Sequence, residues 1–377
     1  MCKSRKKIYS LAIILLILNQ SCMINKKPAK CFIEEYGAKE MVRENKKYVV
    51  DYKKIEEIES FAGNFFTGPS KIQLYNDELY LLDSGAECIY VCNSNLRGLR
   101  VIGKKGKGPG EFCNLKDFII SDDHIYCLDN SKMTISKYSI YNDFIYEKKV
   151  PDQIYNNISL ENIELFKGKF YLSGFHIAEF IKFQSCILYS FGKDFMHVNE
   201  YLTLSSQFGN FDFYEKVVKS ANIIDCDDSN LYIGMLIGTA LLYSFNPEEN
   251  SINFVIKEKS FKKNNLSLID NKLGTEILTY FNVTDIVVND DYIIICEDAG
   301  GMEKNNSNVN NEDYFNNISF FNKDGSYLFS FKDGNLPYSI SGYKCAEKHN
   351  ESFIYLFLTS IDNCILYKYK LDKKNIS

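Results

Sequence analysis

The chain has 377 residues, 45% hydrophobic and 25% charged, values that exclude a disordered, collagen-like or multi-span membrane protein. Its 21 Gly and 6 Pro are too few for a low-complexity linker protein, and a net charge of -5 argues against a nucleic-acid footprint. Trp is absent while Tyr (27) and Phe (28) abound, an aromatic load that favours strands over helices.

The first residues read as an address. Lys3, Arg5, Lys6 and Lys7 form a positive region, followed by the apolar run Ile8 to Leu18. That run is shorter than the ~18–20 residues a membrane-crossing helix needs, so it reads as the core of a signal peptide. Leu18-Asn19-Gln20-Ser21-Cys22 resembles a bacterial lipobox: a small residue precedes a Cys whose thiol receives the lipid, although Asn19 stands where a branched apolar residue is usual. The expected organisation is a leader over 1–21, a lipid-anchored tether over 22–45 and one folded domain over 46–377. Loss of the four leader cations takes the net charge from -5 to -9, unsuited to DNA or anionic lipid. The expected membrane partner is therefore reached through the lipid on Cys22.

The remainder is an internal repeat. A polar turn, an apolar-Tyr strand and a later apolar/aromatic pair recur six times, starting at Leu79, Ile125, Phe170, Leu231, Tyr292 and Ile354. The intervals of 45 to 62 residues suit one four-stranded propeller blade plus variable loops. The second copy divides into strands over 115–121, 125–129, 135–138 and 144–150, with Asp122-Asp123 and Asn142-Asp143 as turns that tolerate positive φ. First and second strands are almost continuously apolar, as strands covered on both faces are. The sixth copy ends at Leu371 without an outer strand, while Lys47 to Ile58 has no blade of its own, so it is expected to close the ring there. The fold class is all-β: a six-bladed β-propeller of four-stranded blades, closed by an N-terminal strand. Insertions fall at Leu204–Val218, at Lys257–Phe281 (Leu266, Ile269, Leu273, Ile277 and Leu278 stand near helical spacing) and at the Asn-rich Gly300–Asn317.

Ile102-Gly103-Lys104-Lys105-Gly106-Lys107-Gly108-Pro109-Gly110-Glu111-Phe112 is the distinctive stretch. It resembles a segment of six-bladed β-propeller lipoproteins of the Bacteroidetes type, relatives of NHL-repeat proteins. Leu81-Leu82-Asp83 and Cys127-Leu128-Asp129 are similar to the NHL strand ending; Gly174, Met235, Cys296 and Leu358 take the place of the Asp in the later copies. The resemblance spans about residues 45–372. It implies an exported or anchored propeller and no particular reaction.

No segment carries an established catalytic pattern. The glycine stretch lacks the Gly-Lys-Ser/Thr ending of a P-loop and the spacing of a dinucleotide fingerprint. Its bland reading is an interblade connection that needs Gly dihedrals; its functional reading is an anion site on Lys104, Lys105 and Lys107, with Glu111 beside them. His124, His176, His197 and His349 share no metal-ligand spacing, and Asp225-Cys226-Asp227-Asp228 lacks the final Glu of a calcium loop and reads as a solvated turn. No catalytic residue, metal or cofactor is expected, and Glu297-Asp298 is the one acidic pair to watch. Ten Cys follow Cys22 without a Cys-x-x-Cys pair. Cys88 and Cys92 on one strand stand ~13 Å apart by strand rise, too far to bridge. Cys127, Cys186, Cys296 and Cys364 suit buried strand positions.

Three functions fit. The first is a non-catalytic binding or scaffold propeller on the outer membrane of a bacterial envelope, facing the periplasm or the cell surface, with a glycan, peptide or envelope protein as partner. The second is a lyase or hydrolase acting on a glycan or peptide at the channel mouth. The third is a sensor or accessory module for an envelope protein.

Overall fold

The computed structural model describes residues 38–43, 48–49, 52–61, 63–176, 185–204, 222–235, 241–258, 267–271, 274–278, 282–298, 317–331, 343–349, 353–360 and 364–372. The leader, Cys22 and most of the Leu204–Val218 and Gly300–Asn317 insertions lie outside them. Six antiparallel sheets form the blades of a propeller. Their innermost strands are Pro69–Tyr75, Leu115–Ser121, Ile158–Phe166, Asn222–Cys226, Asn282–Val288 and Tyr343–His349, blades 1 to 6 in order. Each of these strands touches the next, and the sixth touches the first, so they line a central channel.

Blade 2 shows how local chemistry sets the unit. After the inner strand come His124–Asp129, Thr134–Ser139 and Phe144–Lys149, each within a residue or so of the sequence expectation. Asp122 and Asp123 adopt φ of 51° and 57°, and Asn76 and Asp77 in blade 1 adopt 47° and 66°. Two successive positive-φ residues make the tight hairpin turn whose twist matches the strands, which is why Asn and Asp sit there. Blades pack through six apolar clusters, each shared by two neighbours. Phe118 and Ile125 of blade 2 join Tyr80 and Ile102 of blade 1, and Phe357 and Leu366 of blade 6 join Leu79 and Tyr90 of blade 1. One blade exposes both faces, so no blade can bury its apolar surface without the ring.

Closure follows the expected route. Tyr52–Ile58 runs antiparallel to Ile365–Asp372, from Tyr52↔Leu371 to Ile58↔Leu366, and supplies the outer strand of blade 6. The chain before it differs from expectation. Tyr48–Val49 does not belong to that strand but pairs in parallel with the outer strand of blade 5, Tyr48 opposite Ser330. Lys39–Arg43 pairs in parallel with the outer strand of blade 4, Lys39 opposite Phe254, and Lys257 bonds Glu40 at 2.6 Å. Lys39–Arg43, inside the stretch expected as a tether over 22–45, is thus a strand of the propeller. The chain straps three consecutive blades, and the outer edges of blades 4 and 5 carry a fifth strand.

Three local expectations change. The Lys257–Phe281 insertion contains a strand pair, Ser267–Asn271 with Gly274–Leu278, in place of its helical spacing. Apolar residues over so short a run satisfy both periods, and the length of each half, five residues, suits strands. In blade 5 the residue matching Asp83 is Glu297 and not Cys296. An extra residue on the inner strand sets Val283 opposite Glu297, just as Pro69 faces Asp83 and Leu115 faces Asp129. Cys364 sits in a turn at φ 52°, half-buried, ahead of the last strand. Cys127 and Cys296 are buried and unbridged, as expected of small hydrophobes, Cys88 and Cys92 are likewise buried and unbridged, and the Cys186 side chain lies outside the described ones. Among the described residues, no helix is long and apolar enough to cross a membrane.

Candidate functional site

The glycine stretch joins the outer strand of blade 1 (Arg100–Ile102) to the inner strand of blade 2. Gly103 and Gly110 adopt φ of 71° and 70°, and a Cβ on Gly103 would overlap the Phe112 ring. Glycine is required at Gly103 on both counts. Between them the backbone folds on itself: Gly106 N–H donates to Phe112 O (2.9 Å) and Phe112 N–H to Lys104 O (2.8 Å). Gly108 N–H donates to Glu111 Oε2 at 2.9 Å, and Lys104 Nζ reaches Glu111 Oε1 at 3.1 Å. The Gly108 N–H and then Lys104 hold the Glu111 carboxyl below its ordinary range.

Neighbouring elements brace the loop. Lys132, in the turn between the second and third strands of blade 2, donates to Gly108 O and Glu111 O and pairs with Glu147. Tyr138 Oη donates to Gly110 O at 2.5 Å, and Phe112 is buried against the Tyr138 ring. Asp129 receives Cys113 N–H (2.6 Å) and Lys132 N–H (2.9 Å), tying both loops to one carboxylate. Asp83 does the same in blade 1 for Thr67, Gly85 and Ala86. The strand-ending Asp is thus a clasp between adjacent loops at one end of the blade. The loop's own N–H groups at Gly106, Gly108 and Phe112 are taken internally, so an anion would meet the ammonium groups instead. Lys104, Lys105 and Lys107 are all exposed.

A second charged group, not anticipated from sequence, lies in the channel. Lys71 on the inner strand of blade 1 bonds Asp117 of blade 2 at 2.6 Å. Asp117 also receives Ile163 N–H of blade 3 at 2.9 Å, and Asp225 of blade 4 receives Val288 N–H of blade 5 at 2.7 Å. An inner strand has one unpaired edge, and a carboxylate from the preceding blade satisfies its N–H groups. Asp225 is therefore a strand residue and not part of the solvated turn expected there, a role that falls to Asp227 and Asp228. Glu164 of blade 3 accepts from Leu165 N–H at 2.8 Å.

Glu164 and Asp225 touch channel solvent yet lie deep within the ring. Burial, and then the Asp225 charge, pushes Glu164 up to about 8; burial pushes Asp225 up to about 7 against the pull of Val288 and Cys226 N–H. For Lys71 burial opposes the charge, but Asp117 and Glu164 outweigh it and raise its pKa. Each of these residues interrupts an apolar inner strand a few positions before the turn. That was the available sequence signal, and it was masked by reading those strands as uniformly apolar.

The other candidates take structural places. Glu297 is buried and accepts from Ser319 Oγ at 2.7 Å. Among the described residues, no three His, Cys, Asp or Glu side chains come together to hold a metal ion.

No curated protein matches the sequence. Among solved structures, an exported protein from Bacteroides fragilis aligns with TM-score 0.55 at 12% identity, covering 88% of this chain and 100% of that one. A DUF4221 family member from Bacteroides vulgatus aligns with TM-score 0.51 at 10% identity, covering 85% and 98%. A virginiamycin B lyase from Staphylococcus aureus aligns with TM-score 0.46 at 10% identity, covering 85% and 100%. At these identities the likeness shows the fold alone. A family model described as a six-bladed beta-propeller matches residues 58–295, and the chain belongs to that family, DUF5128.

Proposed function

We propose that this propeller is a lipid-anchored protein of the bacterial outer membrane that binds a ligand without transforming it, through the end of the ring bearing Lys104, Lys105, Lys107 and Glu111. The observation that carries the reading is a contrast within one loop. Its backbone is locked by Lys132, Tyr138 and Asp129, while Lys105, Lys107 and the Glu111-paired Lys104 are exposed. A rigid loop loses little freedom on binding, so its charges are available to an acidic glycan or a carboxylate-bearing peptide at low entropic cost. Export is supported by the basic leader, the apolar run before Cys22 and the exported Bacteroides fragilis neighbour. The NHL-type strand ending supports kinship with NHL-repeat lipoproteins.

Two experiments test this. Cys22→Ser is expected to shift the protein from the membrane to the soluble fraction; retention at unchanged mass would overturn the anchor. Changing Lys104, Lys105 and Lys107 together to Ser, with the glycines kept, is expected to weaken binding of polygalacturonate or a Glu-rich peptide at least tenfold and flatten its salt dependence. The melting temperature should move little, because exposed ammonium groups contribute at most about 1 kcal/mol each. Equal affinity and equal salt dependence in the triple variant would place binding elsewhere.

Glu164 favours a second reading, a hydrolase or lyase acting on a glycan or peptide. A carboxyl raised to about 8 is in the range of a general acid at neutral pH.

A further inference from the structure

We propose that the outer edge of blade 2, Phe144–Lys149, is a docking edge for an extended segment of another polypeptide. The segment adds a fifth, parallel strand and presents an apolar residue followed two positions later by an acid.

The template for this docking is inside the molecule. Lys39–Arg43 pairs in the same way with the outer strand of blade 4, Ser251–Glu258. Ladder register aligns the two blades residue by residue. Tyr138 faces Ile125 on one side and Phe144 on the other, as Phe245 faces Leu231 and Ile252. Ile135 faces Lys148 as Leu242 faces Ile256. Phe144 therefore matches Ile252, and Lys149 matches Lys257.

On blade 4 the docked strand engages both positions. Lys257 Nζ bonds Glu40 at 2.6 Å, and Ala38 packs against the cluster that contains Ile252, which is 4% exposed. On blade 2 the same two positions are bare. Lys149 is exposed, and Phe144 and its neighbour Ile145 are 40% and 45% exposed. Blades 1, 3 and 6 also lack a fifth strand among the described residues, but they carry Gly103, Leu202 and Glu57 at the lysine step. An edge that is merely guarded by lysines has no use for a bare Phe and Ile beside them, whereas an edge that receives a strand does.

One face of the added strand carries the selection. Phe195 of blade 3 lies against the Tyr146 ring at 6.5 Å, in the turn position where blade 5 has Gly325 beside Met41. That seam is already filled, which leaves the face of Phe144 and Lys149. Glu147 on that face is paired with Lys132, so it does not repel an arriving acid. The occupant is another chain because this chain's own strap runs onto blades 4, 5 and 6. Backbone pairing supplies the affinity, and the apolar and acidic side chains supply the choice of partner.

The test uses the purified full chain and the peptide acetyl-Ser-Val-Thr-Glu-Thr-Ser-amide, followed by fluorescence anisotropy of a labelled copy and by hydrogen exchange. Alternate amides of an edge strand point outward, so those of 144–149 should exchange fast in the free protein. Saturable binding is expected to slow them and to leave the edge of blade 6, Tyr52–Ile58, unchanged. Lys149→Glu should weaken binding at least tenfold, and a peptide N-methylated at alternate residues should not bind. The triple Ser variant of the Lys104 loop should bind the peptide as the parent does, which separates this edge from the mouth. No saturable binding up to millimolar peptide, or binding that leaves 144–149 unprotected, would overturn the proposal. Slow exchange of the outward amides before any peptide is added would overturn it too, because the chain itself or a second copy would then cover the edge. The exchange readout on the parent stands even if Lys149→Glu fails to fold.

Discussion

A chain that begins at Ser60 is expected to aggregate or to melt far below the parent, because it lacks the closing strand of blade 6. Without Tyr52–Ile58 the strand Ile365–Asp372 loses its six-residue register and becomes an open edge. Leu366, Tyr367, Tyr369 and Leu371 are buried under that arrangement, and Ile58 packs at the seam between blades 6 and 1. Losing six paired residues at about 1 kcal/mol per hydrogen bond, with the packing that accompanies them, removes on the order of 5 kcal/mol. Net stabilities run from about 5 to 15 kcal/mol, so the deletion consumes a large part of the whole. A chain beginning at Asp51 is the control. It keeps the closing strand and sheds only the parallel fifth strands on blades 4 and 5. It should stay folded and elute like the parent in size-exclusion chromatography, with a melting temperature a few degrees lower. A Ser60 truncation that melts like the parent would show that the ring holds without its clasp.

The closing strand was legible because it was missing from its own repeat. The sixth copy stops at Leu371 and an unassigned strand-like stretch waits at the other end of the chain. The strap before it was not legible. Lys39–Arg43 adds a parallel strand to a blade that already has four, so no gap in the repeat asks for it, and its five residues carry no turn to mark them. Turn chemistry carried most of the rest. Asn76-Asp77 and Asp122-Asp123 fix the hairpins, and the strands follow from them by length. The same dependence produced the one-residue error in blade 5. There the turn residues are Asp290 and Asp291, closed by the bond from Asn289 N–H to Tyr292 O. Ile293, opposite Val288, is therefore the true counterpart of Leu79, and Glu297 of Asp83. Of the candidate site, the loop's position and its need for glycine were readable. Glu111, expected beside the lysines, is bound within the loop by Gly108 N–H and Lys104. The channel residues were readable singly, as charges in apolar strands, but not as a group, since Lys71, Asp117, Glu164 and Asp225 lie 46 to 61 residues apart and only the ring brings them together.

Raising the pH from 6 to 9 is expected to lower the melting temperature, and Glu164→Gln is expected to remove much of that loss. The folded-state pKa values of Glu164 and Asp225 lie above the ordinary carboxylate range, at about 8 and about 7. Between that range and those values the folded chain holds protons that the unfolded chain has released. Their contribution is complete below the ordinary carboxylate range, falls steadily above it and is fully lost once pH passes about 7 to 8. Each proton of difference changes stability by at most about 1.4 kcal/mol per pH unit, a shift of about 2–4 °C per unit for a domain of this kind. Other groups do not cancel the trend. The raised pKa of Lys71 acts only at higher pH, and the depressed carboxyls of Glu111 and Asp227 contribute stability that is lost towards acid, below their ordinary range. Glu164→Gln keeps an acceptor for Leu165 N–H and stays neutral at every pH, so the variant should melt above the parent by a margin that is larger at pH 9 than at pH 6. Thermal denaturation at half-unit intervals of pH decides the matter. A parent curve that is flat from pH 6 to 9, or a variant with the same slope as the parent, would mean that Glu164 is ionised in the folded protein and that the channel is wetter than its enclosure by six blades implies.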